Sequence, residues 1–500
     1  MRVRLLLVVV LIFMTSRVSA ADQPPPATEK PKAKAAKPKA PAKPKAPAKP
    51  KVVVEEVAIP WPPELTGAVR GTITFSSPEL LTVPDGVREA AKASGAAPFE
   101  VAKKPPTVEL ALHDNLGPDA SKRRLWSSWG DIALASDGRV YCAIGDHGDD
   151  VGGDARCFIY CWDPRSKQLK QVVDMNQVVP PKAGRPSWSK VHAKIDEGRD
   201  GMIYFSCTLN DGNRAKLPSH GFDDELPGGQ IYQYDPETGK TVVFASLPPR
   251  RCTATSIIDR ERNIWWCNLE AGEGDALWGF DLTKKKEIFR APDGSMGFNR
   301  AFALLRDGSI LFNGPDRLLK LNIASREIEP TQTTWGEAPG MRCASIESSD
   351  GDLYGVTHKT TQLFRYSTQR DELKLLGPVY LSGGYTTVMA LSPDEKYLYY
   401  LPGAHGKASA SGTPILRYEP ATGKQTVLAF LAPYCEKEFG YVPGGTYGMK
   451  LSANGRTIYV NFNGHMVEGR RPERLKTPGF GCTAFAAIHL VEDEICAVAD

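Results

Sequence analysis

Short apolar runs alternate with polar turns along most of this chain, and one phrase keeps returning. An apolar run, a turn centred on Asp-Gly or a similar pair, and a second apolar run make up DIALASDGRVYCAIG (131–145), KIDEGRDGMIYFSCT (194–208) and ATSIIDRERNIWWCN (254–268). The phrase continues in AFALLRDGSILFNG (301–314), ASIESSDGDLYGVTH (344–358), VMALSPDEKYLYYLPG (388–403) and MKLSANGRTIYVNFNG (449–464). Runs this short, bounded by Gly, Asn and Asp, predict strand pairs closed by tight hairpins, because Gly and Asn tolerate the positive φ that such turns require. Behind each pair come a third apolar run, another turn and a polar run, as in QIYQYDPETGKTV and PILRYEPATGKQTV. Each unit therefore holds four short strands.

Counted from Asp137 through Asp200, Asp259, Asp307, Asp350, Asp394 and Asn454, the turns are 63, 59, 48, 43, 44 and 60 residues apart. One four-stranded sheet of this length buries neither face alone, so units at this period are expected to stack around an axis. The fold class that follows is all-β, a seven-bladed β-propeller. The seventh unit has GCTAFAAIHLVEDE (481–494) as its third strand and little chain left for a fourth. An N-terminal strand is expected to close the ring, with residues 108–112 (VELAL) or 71–75 (GTITF) available for it. In this repeat form, residues 108–495 resemble the secreted bacterial seven-bladed propellers that include virginiamycin B lyase, gluconolactonase-like proteins and oligogalacturonate lyase. WD40 signatures do not recur at blade spacing.

Residues 1–20, MRVRLLLVVVLIFMTSRVSA, read as a secretory signal peptide: two arginines, an apolar run too short to span a bilayer, then a small-residue cleavage site. Residues 21–51 are almost only Lys, Pro and Ala and predict a disordered, extended cationic linker. Residues 52–107 are expected to be a partly ordered extension, and 108–500 the propeller. A periplasmic or extracellular protein follows, with no transmembrane segment once the signal is removed. The formal charge of +4 comes from the leader; without residues 1–51, 50 basic face 56 acidic side chains. Bulk attraction to nucleic acid is thereby excluded, whereas an anionic envelope polymer is a natural partner for the linker.

The candidate chemistry gathers where propeller loops before the innermost strand and after the second strand share one face. Eight residues before each hairpin turn stand Trp129, His192, Arg251, Asn299 with Arg300 beside it, Arg342, Thr386 and Thr446. Guanidinium forks at Arg251, Arg300 and Arg342, from successive blades, suit carboxylate, sulfate or phosphate. Trp126, Trp129, Trp188 and Trp335 fall in inter-blade loops, where aromatic planes can bind sugar rings. His192, His358, His405 and His465 fall on the same face and are candidate ligands for one divalent metal ion, provided they meet across the channel. Two long loops, 210–228 with His220 and 465–481 with Arg470, Arg471, Arg474 and Lys476, predict a binding rim.

Two readings stand nearly level. One is a non-catalytic binder of an anionic or carbohydrate ligand, including an envelope scaffold with protein partners. The other is a lyase on uronate-containing polysaccharide, with the arginines or a metal neutralising the carboxylate and His192, Lys194 or Tyr447 as base. A gluconolactonase-like hydrolase ranks behind them; Glu270, Asp275 and Asn313 are its available calcium ligands. Ten cysteines permit disulfides, and Cys142 with Cys161 is the pair that one hairpin could bring together.

Overall fold

The computed structural model describes residues 60–123, 125–147, 155–182, 187–208, 222–270, 274–298, 300–338, 340–379, 386–472 and 479–491. The signal peptide, the Lys-Pro-Ala linker, His220, Arg474, Lys476 and Asn299 lie outside these residues.

Seven antiparallel sheets follow one another along the chain. Blade 1 runs from Ala133–Leu134 through Val140–Gly145 and Cys157–Asp163 to Gln168–Asp174. Blade 3 shows the pattern most regularly, Ser256–Asp259, Ile264–Leu269, Ala276–Asp281, Lys286–Arg290. Its second and third strands are buried at every position, and its fourth is exposed or half-buried throughout. That gradient follows from the architecture, since inner strands are covered by both neighbouring blades and the outermost meets solvent. The apolar cores accordingly lie between blades: Trp265 and Trp278 pack with Tyr204 and Ile231 on one side of blade 3, Trp266 with Ile310 and Phe312 on the other.

Blade 7 takes its inner strands from Tyr441–Leu451, Thr457–Met466 and Ala484–His489, and its fourth from the start of the described chain, Thr107–Leu112. Thr107 pairs with His489 and Leu112 with Ala484, all antiparallel. Both candidate stretches join this sheet, because Thr72–Phe75 adds a fifth strand outside the fourth. The segment between them carries a short helix, Val87–Ala93, and a strand, Phe99–Val101, which lies parallel to the outer strand Lys424–Phe430 of blade 6. Trp61 anchors the entry, its indole N–H donating to the Gly481 carbonyl at 3.0 Å.

One expectation is corrected by register. Cys142 lies opposite Tyr160, and Cys161 lies opposite Tyr141. The cysteines are one residue out of step, so the alternation of a strand sends them to opposite faces, Cys142 into the core shared with blade 7 and Cys161 into the core shared with blade 2. They remain separate buried thiols.

Candidate functional site

The innermost strands surround a channel with a cavity of about 460 Å³. Successive residues of these strands descend it in layers. Trp129, His192, Arg300, Arg342 and Tyr447 line the upper end. Asp131, Lys194, Asp196 and Lys450 follow on the wall made by blades 1, 2 and 7, while blades 3 to 6 present mostly apolar groups, from Ala254, Ala303 and Ala344 to Leu304 and Met389.

Side-chain amides set the geometry of the mouth. Asn313, fully buried at the end of a second strand, donates to the carbonyls of Phe298 (2.8 Å) and Met341 (2.9 Å) and accepts from the Met341 N–H (2.8 Å). It thus fixes the backbone on either side of the channel-facing Arg342. Gly340 makes this approach possible: its φ is 141°, and a Cβ there would stand 2.6 Å from the Asn313 side chain. Asn463 holds the blade 7 to blade 1 connection in the same way, accepting from the Ser128 N–H (2.7 Å) and donating to its carbonyl (3.0 Å), one residue before Trp129. Asn268 accepts from the N–H groups of Ala254 and Thr255, both at 2.9 Å. The recurring signal is an Asn at the end of a second strand, in FNG at 312–314, FNG at 462–464 and CN at 267–268.

Trp129 is the hub of the mouth. Its ring lies 5.0 Å from His147, 6.1 Å from His192, 5.6 Å from His405 and 5.3 Å from Tyr447, and it stacks on Phe480 at 5.8 Å. The Lys190 ammonium sits 5.2 Å over the same ring and 3.1 Å from His147 Nε2. Arg342, buried, lies 5.6 Å from the centroid of Tyr447 and 5.9 Å from that of Phe298, which stacks on His358 at 3.9 Å. Arg300 Nη1 contacts His192 at 2.8 Å and stands 3.9 Å from Glu270.

The imidazoles report the field. Burial holds His192 well below the usual histidine range, and Lys190, Arg300, Arg342 and His147 push it further the same way. His358 and His405 are each lowered to about 4, first by burial and then by neighbours that include Arg342 and Arg300. Among the described residues, the charged neighbours that lower these three rings most are cations and other histidines. They are neutral at pH 7, in a positive potential.

The other candidates divide. Trp188, Trp335 and Trp126 are buried in inter-blade cores, with relative exposures of 2%, 8% and 0%, and so present no plane to a ligand. Arg251 is held by Asp293 and donates to the Gly274 carbonyl at 3.0 Å, outside the cavity lining. His465 accepts from the Gly479 N–H at 2.9 Å and, among the described residues, is acted on by Arg471 rather than by the Arg300 and Arg342 that lower the other three histidines. Among the described residues no group of three or more His, Cys, Asp or Glu is placed to hold a metal ion. The cations around His192 also disfavour a second positive charge, and Asn313 is spent on backbone groups, so the residues present do not fit a metal here. Asp131, Asp196 and Lys450 line the channel and are the residues that sequence reasoning missed.

No family model matches the chain, and no curated protein does. Among solved structures, the chain is similar to a chain of a mitotic checkpoint complex (10% identity over 74% of this chain and 94% of that chain, TM-score 0.45), the WD40 repeats of RRP9 (10%, 76% and 97%, 0.46) and U3-55K (10%, 76% and 98%, 0.46). The resemblance to secreted bacterial propellers therefore rests on repeat form alone.

Proposed function

We propose that this propeller binds an oxyanion-bearing ligand at the channel mouth, with the carboxylate of an acidic sugar or polysaccharide end as the class it fits best. The observation that carries this reading is the one-signed environment of His192, His358 and His405, built by Arg300, Arg342 and Lys190. Two guanidinium groups give forked donors for a carboxylate, and Trp129 and Tyr447 give flat surfaces for a sugar ring. Expected export, with a cationic linker beside anionic envelope material, agrees with such a ligand. Calorimetry with hexuronate oligomers and their neutral counterparts tests the proposal. Acidic oligomers should bind, and Arg300→Met with Arg342→Met should weaken them by about 100-fold, since each charge-assisted hydrogen bond contributes about 1.5–3 kcal/mol. Equal binding of neutral and acidic oligomers, or an indifferent double variant, overturns it.

A catalytic version has one specific support, which is that His192 is held neutral and is therefore able to accept a proton beside Arg300. Elimination next to a uronate would produce a new absorbance from the unsaturated product. Binding without that absorbance assigns the mouth to recognition alone.

A further inference from the structure

Below the mouth, the charged wall of the channel contains groups whose hydrogen-bonding capacity the fold leaves unused. Asp131 is fully engaged: Oδ1 accepts from the N–H groups of Ile132 (2.9 Å) and Met449 (3.1 Å), and the carboxylate pairs with Lys450. Lys194 differs. Among the described residues its ammonium makes no hydrogen bond, and its one ion pair is a 4.0 Å approach to Asp131. Asp196 differs too, accepting only the Ile258 N–H, at 3.2 Å through Oδ2, and forming no ion pair among the described residues. Both line the 460 Å³ cavity, two residues apart on the same segment of blade 2, so an ammonium with three donors and a carboxylate oxygen face the same space. The rest of the lining is largely apolar, with Ala301, Ala303, Ala344 and Ala390 among larger groups such as Leu304, Ile346 and Met389.

We infer that this layer is a polyol subsite, in which Lys194 donates to one ligand hydroxyl and Asp196 accepts from a neighbouring one while the apolar lining takes the apolar face of the ring. The inference rests on the mouth as the anion site, and it adds the rest of the ligand: a hydroxylated ring whose acid group points to Arg300 and Arg342 and whose hydroxyls point down the channel. The cavity is at the lower end of the volumes that hold small ligands, which suits one or two sugar rings. A lone small acid would leave Lys194 and Asp196 unserved.

The test is calorimetry on the full chain with three probes, a hexuronic acid, the corresponding neutral hexose, and a simple carboxylate without hydroxyls. The hexuronic acid should bind at least about 10-fold more tightly than the simple carboxylate, as expected for two added hydrogen bonds of about 1 kcal/mol each. Lys194→Met and Asp196→Asn should each erase most of that preference and leave the affinity for the simple carboxylate within about 2-fold. Asp196→Asn retains an oxygen for the Ile258 N–H, and an unchanged melting curve identifies a folded variant. If the simple carboxylate binds as well as the hexuronic acid, the subsite is overturned and the mouth stands. If the neutral hexose binds as well as the acid, through Lys194, the mouth falls and the subsite stands. If none of the three binds, both are wrong.

Discussion

The two ends of the channel are built from the same repeated strands, yet they treat charge in opposite ways. At the hairpin end, acids are paired with donors on other blades. Glu197 of blade 2 accepts from Ser136 Oγ of blade 1 at 2.6 Å and pairs with Arg260 of blade 3 at 2.9 Å. Farther round, Glu347 of blade 5 accepts from the Arg306 N–H of blade 4 at 2.7 Å, and Glu395 of blade 6 holds both Arg306 (3.1 Å) and the Ser349 N–H (2.8 Å). At the mouth, Lys190, Arg300 and Arg342 gather around His192, with Glu270 standing 3.9 Å from Arg300. Charges that are paired between blades hold a ring together. A concentration of one sign opposes folding and is explained by something that it receives.

If the mouth is held in place by amides rather than by ion pairs, removing an amide should damage both stability and binding. Asn313→Ala would strand three backbone groups in a fully buried site and is expected to cost about 2–4 kcal/mol, with the hexuronate affinity falling as Phe298 and Arg342 shift. Chemical denaturation and calorimetry on one preparation would measure both losses. Stability lost with affinity intact would mean that the mouth does not depend on this scaffold.

The hairpin end should show the converse. Glu395→Ala removes the partner of Arg306 and Ser349 at an exposed position, so about 1 kcal/mol and a fall in Tm of about 1–3 °C are expected, with ligand affinity unchanged. Weakened binding in this variant would break the comparison, because it would couple the two ends.

The mouth can also be tested by pH. His358 and His405 take up protons near 6.5 in the unfolded chain but only near 4 when folded, so between those values the unfolded state binds more protons. Their contribution to stability is complete above about pH 6.5 and is lost as the pH falls toward 4. Asp196 acts in the other direction, since burial raises it from an ordinary 3.8 to about 6 and its cost is relieved on acidification. Thermal melts from pH 7 to 4.5 should therefore decline more steeply in Asp196→Asn than in the parent chain. A bound anion favours protonated rings, so the ligand-induced rise in Tm should grow as the pH falls. A rise that shrinks would contradict an anion beside these histidines.

Much of this was legible from period alone. The hairpin turns give the blades, and counting back eight residues from a turn gives Trp129, His192 and Arg342, with Arg300 one residue off, all on the cavity wall. Period carries no information on depth or on partners. Trp188 and Trp335 occupy the expected loops but point into cores, Arg251 occupies the repeat position but meets Asp293, and Cys142 misses Cys161 by one residue of register. Asp131, Lys194, Asp196 and Lys450 come from three blades and become neighbours only once the ring is closed, a relation that no local pattern encodes.

That closure also sets an order of events. The strand Thr107–Leu112 is made early and can pair at once with Thr72–Phe75, but its inner edge has no partner until Ala484–His489 exists, since the two pair residue for residue. Blades 1 to 6 can each form their four strands from contiguous chain as it is synthesised, whereas the last sheet requires a pairing between residues near opposite ends of the propeller sequence and is expected to be the slow step of folding. Because Trp129 follows the closing strand and Tyr447 belongs to the last blade, their 5.3 Å contact cannot precede that step. A nascent or truncated chain would thus carry most of the blades and no binding site, and ligand recognition would report completion of the ring.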